Sequence, residues 1–356
     1  MTLRILHFLP DVREVGNGIV NATVDLACEQ SRLGHDVSVA SAGGEFEPLL
    51  SAHHVDHLTL VVTRSPSRLL AVRRRVGAVI DVVRPDIAHA HTATTALAAR
   101  MGRLTTRPPL VTTVHNEFNR SAPLMAVGDR VIAPSQAVAA ALPRRGVRRR
   151  KIRVVLNGTL GSPRTRGQQQ TAPASLCHPS VVTIAGMYKR KGIGDLISAF
   201  ANVASMLTTA HLYVVGEGPD RPAFESQARG TGLAERIHFS GYQRDPFPFL
   251  MAADLFVLAS RREPFGLVIA EAREVGCAIL ASDADGIPEA LDMGRAGCLF
   301  PAGDRKALAS KIETFLTDEE YRRSWQLAAR ENIEWLRTDR VARETLDVYA
   351  ELLEST

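Results

Sequence analysis

Short apolar runs rich in valine and isoleucine alternate along this chain with stretches where apolar residues recur every third or fourth position. Buried strands separated by amphipathic helices give that pattern. Residues 3–9 read as a first strand, about 19–33 as a helix, and 34–40 as the stop of that helix and the start of a second strand. This βαβ opening predicts a parallel sheet with right-handed crossovers. The alternation continues through a helix at about 65–83 and strands at 85–91, 110–114, 131–135 and 152–158, with Ser135 placed to cap the helix that follows it. From about 161 to 179 the apolar period gives way to Gly, Gln, Thr, Pro and Ser, which reads as an interdomain linker. It resumes with strands at 180–186 and 237–242, a strand-to-helix turn at 214–219, and apolar runs at 255–258 and 296–300. Three helical patterns follow, the last at about 338–353. The chain therefore predicts two α/β domains, 1–165 and 166–337.

Length agrees, because 356 residues exceed one ordinary core. An apolar fraction of 45% is that of a globular protein. The net charge of +5 favours anionic ligands or surfaces. No window is apolar for long enough to predict a membrane span, and residues 1–10 turn polar too soon for a signal peptide. The four cysteines, Cys28, Cys177, Cys277 and Cys298, are scattered without a CxxC pair and read as reduced thiols of a cytoplasmic protein.

One stretch carries the candidate chemistry. The strand 255–258 runs into the polar loop Ser260-Arg261-Arg262-Glu263-Pro264, and a helical pattern begins at about Phe265. Gly266 lets backbone approach a ligand closely. The amides of Leu267 and Val268 then fall in a first turn, where N–H groups lack intrahelical partners and the helix dipole favours a phosphate. Glu263 precedes the helix, and Glu271 lies about five residues inside it, roughly 7.5 Å along the axis. Carboxylates on either side of a phosphate site match two sugar rings joined through a diphosphate. The plain alternative is a surface helix with two glutamates, since two Glu at a fixed spacing are weak evidence by themselves.

The neighbouring residues decide between these. Glu263 to Glu271 resembles the E-x7-E motif of the retaining glycosyltransferases of family GT4. The resemblance extends from Ala253-Asp254 before it to Gly276-Cys277 and Gly286-Ile287-Pro288-Glu289 after it. It implies a GT-B fold of two Rossmann-like doubly wound domains facing an interdomain cleft, with the closing helix 338–356 packing back on the first domain. It also implies transfer of a sugar from a nucleotide-diphosphate sugar, UDP- or GDP-linked, to an acceptor hydroxyl with retention at the anomeric carbon. Glu263 would orient hydroxyls of the donor sugar, helped by backbone at Phe265 and Gly266, and Glu271 would take the ribose hydroxyls. Lys191, in Lys191-Gly192, would grip the diphosphate with the Leu267 and Val268 amides. Met187 stands where the resemblance leads one to expect an arginine, which leaves Arg190 or Lys189 for that role. Gly16 and Gly18 resemble a glycine turn beside the diphosphate, and Gly241-Tyr242 a strand end that holds the base. His115, at the carboxyl end of a strand, resembles the family's histidine between donor sugar and acceptor.

His89 and His91 alternate along one strand and so share a face, but no third ligand at a diagnostic spacing accompanies them. No metal and no cofactor is expected, and the absence of a full GxGxxG speaks against a nicotinamide fingerprint. The basic run from Arg144 to Lys151 is a solvated face or a peripheral contact with anionic lipid at the inner membrane face, and no aromatic platform beside it suggests nucleic acid. The expected partners are a nucleotide sugar and a small-molecule, glycan or lipid acceptor, with acceptor choice in the loops 43–57 and 116–126. Two other readings stand beside the transferase: a sugar-nucleotide hydrolase or epimerase of GT-B fold, and a non-catalytic binder of polyanion or membrane.

Overall fold

The computed structural model describes residues 2–62, 69–101, 108–116, 118, 120–165 and 172–354. By contact they fall into two units, 1–164 with 336–356, and 165–335.

In the first unit the order is β1 (Arg4–Phe8), α1 (Gly18–Arg32), β2 (Asp36–Ser41), α2 (Glu47–Ala52), β3 (Asp56–Thr59), α3 (Leu69–Val83), β4 (Ile87–Ala90), α4 (Ala93–Met101), β5 (Leu110–Thr113), β6 (Arg130–Ala133), α5 (Gln136–Ala141) and β7 (Ile152–Val154). The seven strands form one parallel sheet ordered β3-β2-β1-β4-β5-β6-β7. The twofold period of β1 explains its two cores. Leu6 and Phe8 enter a cluster with Val76 and Ile80 of α3 and Ala96 of α4. Ile5 and Leu9 enter another with Val20 and Val24 of α1. Strands covered on both faces tend to read as apolar runs, as β6 does at Val131-Ile132-Ala133. The Asn17 side chain caps α1 by accepting from the Ile19 amide at 3.1 Å, and Gly34, at φ +91°, follows its end.

The second unit runs β8 (Ser180–Ile184), α6 (Ile193–Ala204), β9 (His211–Val215), α7 (Arg221–Gly230), β10 (Ile237–Gly241), α8 (Phe247–Ala252), β11 (Leu255–Leu258), α9 (Leu267–Val275), β12 (Ile279–Ser282), α10 (Ile287–Ala290), β13 (Cys298–Phe300), α11 (Arg305–Thr317) and α12 (Glu319–Arg330). Its parallel sheet is ordered β10-β9-β8-β11-β12-β13. One core joins Val181, Leu212, Val257 and Leu280 of the strands to Leu196, Phe200 and Phe315 of the helices. The chain then returns to the first unit, where α13 (Thr338–Leu353) lays Val348, Tyr349 and Leu352 into the core under α1. Strand order reverses between β1 and β4 in one sheet and between β8 and β11 in the other. Open α/β sheets bind ligands beyond the strand ends at such points.

Two stretches differ from the sequence reading, while of the helix read at about 65–83 residues 65–68 lie outside the described set and the rest is α3. The stretch 43–57, read as a loop, contains α2 and the start of β3. At six and four residues both are too short for a period to show against the noise of single positions. Helix α9 begins at Leu267 rather than Phe265, because Gly266 takes the left-handed conformation, φ +89° and ψ +70°, and serves as its N-cap. Among the described residues no helix is long and apolar enough to cross a membrane. Cys28, Cys277 and Cys298 are buried thiols and Cys177 is exposed.

Candidate active site

In the second unit the switch point is built by the two loops that leave β8 and β11. The turn Lys189–Lys191 follows β8 and ends in Gly192 at φ +68°, which caps α6. A Cβ on Gly192 would fall 1.8 Å from the backbone oxygen of Ala259, so the close approach of the two loops requires glycine. The Arg261 amide donates to the Arg190 carbonyl at 2.8 Å, and Asp195, at the start of α6, accepts from the Arg261 guanidinium at 2.7 and 3.0 Å. Two loops far apart in sequence thus behave as one piece.

Glu263 sits at the centre of that piece and is buried. Its Oε2 accepts from Lys191 Nζ and, at 3.2 Å, from the Ser260 hydroxyl. Its amide donates to Asp285 at 2.9 Å, and its carbonyl accepts from the Gly286 amide at 3.0 Å. Asp285, held at φ +45°, also accepts from Arg262 at 2.9 Å. A charge pair this shielded is costly to desolvate, so it is weak evidence for stability and is better explained by use. Glu271, also buried, lies in the second turn of α9, one turn beyond the Leu267 and Val268 amides.

Met187 is fully buried in the core of the unit, with its amide on the Glu217 carbonyl at 2.8 Å. No cation can be presented from that position. The cations of the turn are Lys189, Arg190 and Lys191, with the Arg190 guanidinium 5.5 Å from the ring centre of Tyr188. Gly241, at φ +70°, ends β10 and accepts from the Gly216 amide at 2.8 Å, and Tyr242 follows it. The second unit therefore gathers Lys191, Glu263, Phe265, Gly266, Leu267, Val268 and Glu271 around one switch point, with Arg190 beside it and Gly241 and Tyr242 at the end of an edge strand. Gly16, Gly18 and His115 belong to the first unit. Gly16 stands at φ +68° just before α1, which Gly18 opens.

His115 is half-buried at the end of β5 and meets His91, Nε2 to Nδ1, at 3.1 Å. His91 in turn meets His7, Nε2 to Nδ1, at 3.0 Å, and His7 Nε2 contacts Gln30 Oε1 at 2.8 Å. His89 lies between the Tyr349 hydroxyl at 2.6 Å and the Thr113 hydroxyl at 2.8 Å. Desolvation pushes His7 and His115 down to about 4. His89 and His91 lie well below the ordinary imidazole value, by burial first and then by their imidazole neighbours. At neutral pH all four are uncharged. Together with Asn157, Thr338 and Thr345, the residues His91, Thr113 and His115 line a cavity of about 30 Å³ between the strand ends, α1 and α13.

The sequence reading found His89 and His91 without a third partner, whereas the fold supplies His7, paired with His89 in register across β1 and β4. The three could offer ring nitrogens within 4.8 Å of one another to a metal ion. Each of their ring nitrogens already faces a partner inside the network, so hydrogen bonding accounts for the cluster. Ser260 and Asp285, which hold Glu263 in place, were also missed. Ser260 gave no signal at all, and Asp285 only its place between two small residues of a turn, Ala284 and Gly286.

Two doubly wound parallel sheets, each flanked by helices, define a two-domain Rossmann-like protein of the GT-B fold. Comparison with known proteins agrees. Residues 16–159 match the family described as Glycosyltransferase Family 4, and residues 178–318 match Glycosyl transferases group 1. The chain belongs to the group 1 glycosyltransferases of family 4. It is 30% identical to the N-acetyl-alpha-D-glucosaminyl L-malate synthase of Bacillus anthracis over 49% of this chain and 45% of that protein. It is 31% identical to the lipopolysaccharide core biosynthesis glycosyltransferase LpsE of Rhizobium meliloti (strain 1021) over 58% of this chain and 59% of that one. The chain thus spans about half to three fifths of the length of these relatives. Among solved structures, Anabaena Alr3699/HepE in complex with UDP and glucose superposes with a TM-score of 0.81 at 24% identity, covering 99% of this chain and 100% of that one. A glycosyltransferase from Rickettsia africae superposes at 0.80 with 21% identity, covering 99% of each chain.

Proposed function

We propose that this protein transfers a sugar from a nucleotide-diphosphate sugar to an acceptor hydroxyl, with retained configuration and without a metal. The observation that carries the reading is the pair of half-buried Lys191 with buried Glu263, locked between two loops at a switch point and immediately before the open N-terminus of α9. Lys191 and the Leu267 and Val268 amides take the diphosphate, with Arg190 in the place the buried Met187 cannot fill. Glu271 takes the ribose hydroxyls, and Glu263 those of the transferred sugar. Departure of the diphosphate breaks the bond to the anomeric carbon and concentrates negative charge where Lys191 stands, which is where a fixed cation lowers the barrier. The acceptor oxygen bonds to the same face of that carbon, and its proton passes to the departing phosphate oxygen. Such a path needs no protein nucleophile. Support for the donor class also comes from the complex of the Anabaena relative with UDP and glucose and from the transferase names of the curated relatives.

Arg144, Arg148, Arg149 and Arg150 are exposed in the first unit. Near an anionic leaflet each contributes about 1 kcal/mol, which suits peripheral contact and an acceptor delivered from a membrane.

The test is a panel of UDP- and GDP-sugars scored by melting temperature and by nucleoside diphosphate release. One donor should raise the melting temperature, since a ligand bound only by the folded protein must stabilise it. Turnover should fall by about a hundredfold or more in both Lys191→Ala and Glu263→Ala. A hydrolase would release the diphosphate at full rate without any acceptor. Unchanged turnover in the two variants would sink the assignment.

A further inference from the structure

The histidine network has a direction, and that direction can be worked out from one contact. Tyr349 OH and His89 Nδ1 lie 2.6 Å apart, a distance at the short end for O–H donors and too short for a typical N–H donor. Tyr349 therefore spends its one proton on His89, and His89 donates its Nε2–H to Thr113 at 2.8 Å. The Tyr349 oxygen is left as an acceptor, so the Gln30 group facing it at 3.3 Å is the amide NH2. Gln30 must then turn its carbonyl oxygen to His7, 2.8 Å away, and His7 must donate from Nε2.

The rest follows because each imidazole in the row is neutral and carries one proton. With Nε2 protonated, His7 Nδ1 is bare and accepts from His91 Nε2 at 3.0 Å. His91 Nδ1 is then bare and accepts from His115 Nε2 at 3.1 Å. His115 Nδ1 is left without its proton at the end of the row. Reversing the Gln30 amide would reverse every link and put the proton on His115 Nδ1 instead.

We propose that Gln30 is a positioning residue that acts through His7 and His91 to keep His115 Nδ1 bare, as the acceptor for a sugar or acceptor hydroxyl. The proposal deepens the transferase reading above and rests on it for the identity of the hydroxyl, though not for the tautomer. Tautomer control through a second residue is a strong lever in catalysis, because the wrong tautomer presents a donor where an acceptor is needed. The row also explains why a glutamine is buried with no exposure in the last turn of α1, where an apolar residue would fill the core equally well.

The test is two-bond 1H–15N correlation on the full-length, histidine-labelled protein, with His115→Gln used to assign the His115 signals. The wild type should show His115 protonated on Nε2 with Nδ1 bare. Gln30→Met, which keeps the volume and removes the amide, should give a mixture of the two tautomers. Its kcat should drop about tenfold or more while donor KM moves less than about threefold. A wild-type His115 protonated on Nδ1, or a Gln30→Met spectrum unchanged from wild type, would overturn the proposal. If Gln30→Met does not fold, Tyr349→Phe removes the hydroxyl that orients the amide and is read against the same two outcomes. The spectrum needs no substrate, so it stands even if no nucleotide sugar is turned over. A mixed tautomer with unchanged kcat would overturn the positioning role while leaving the transferase reading intact.

Discussion

Four neutral imidazoles packed into the first unit make its stability depend on pH in a way single residues can account for. His7 and His115 are lowered to about 4, and His89 and His91 lie well below the ordinary 6.5. Folded-state values below the unfolded ones mean that the unfolded chain binds more protons as the pH falls below about 6.5. The stability these residues lend is therefore complete above that pH and drains away toward pH 4, at about 1.4 kcal/mol per pH unit for each histidine. Both tryptophans, Trp325 and Trp335, belong to the second unit, so their fluorescence reports on that unit alone. Urea unfolding between pH 7 and 5 should show the circular dichroism signal, to which both units contribute, losing stability more steeply than the tryptophan signal of the second unit alone. Equal slopes would contradict the buried neutral cluster. At this scale the sequence points to residues whose type carries its own chemistry, Glu263, Glu271 and His115. It was silent where the role comes from neighbours. His7 is one polar position in an apolar strand until the register sets it opposite His89. Met187 looked like a lost arginine until burial showed it as core.

The elements were legible in proportion to their length and their burial on two faces. Strands such as β11 are continuous apolar runs between turns, and helices such as α1 carry several turns of period. What the period could not show is how helix ends are closed. Arg273 on α9 is fully buried and donates to the carbonyls of Ala329 at 3.1 Å, Ala290 at 2.9 Å and Glu331 at 2.7 Å, near the C-terminal ends of α12 and α10. Carbonyls there lack intrahelical partners, and one guanidinium with five donors answers several of them. Nothing in the sequence around Arg273 marks that burial. Replacing it with methionine should keep most of the packing and leave those oxygens unsatisfied, at about 1–3 kcal/mol for each buried polar group orphaned. Arg273→Met is thus expected to lower the tryptophan-reported unfolding free energy by 3 kcal/mol or more. The exposed Arg330, which reaches a single carbonyl, that of Val275, at 2.7 Å, should cost under about 1 kcal/mol as Arg330→Ala. If the two variants were equally stable, the capping role of Arg273 would be wrong.

At the scale of the whole chain, two cores and one returning helix set the order of dependence. Among the described residues the second unit closes its core between Val181 and Leu316, without a residue of α13. The first unit closes only when the last helix comes back, for Val348, Tyr349 and Leu352 share a cluster with Val20, Val24 and Ala27 of α1. Arg153 adds an ion pair to Glu351 at 2.7 Å, and Arg340 donates to the Leu156 carbonyl at 2.6 Å. Burying one large apolar side chain is worth roughly 1.5–3 kcal/mol, so losing three approaches the whole 5–15 kcal/mol margin of a domain. Loss of Tyr349 would also leave His89 and Gln30 without the hydroxyl they share. Removing residues 338–356 should accordingly abolish the cooperative melting of the first unit. The tryptophan-reported transition of the second unit should stay within a few degrees of the full chain. Calorimetry and fluorescence on the same truncated protein decide the matter, because a loss of both transitions would mean that the second unit depends on the helix as much as the first does.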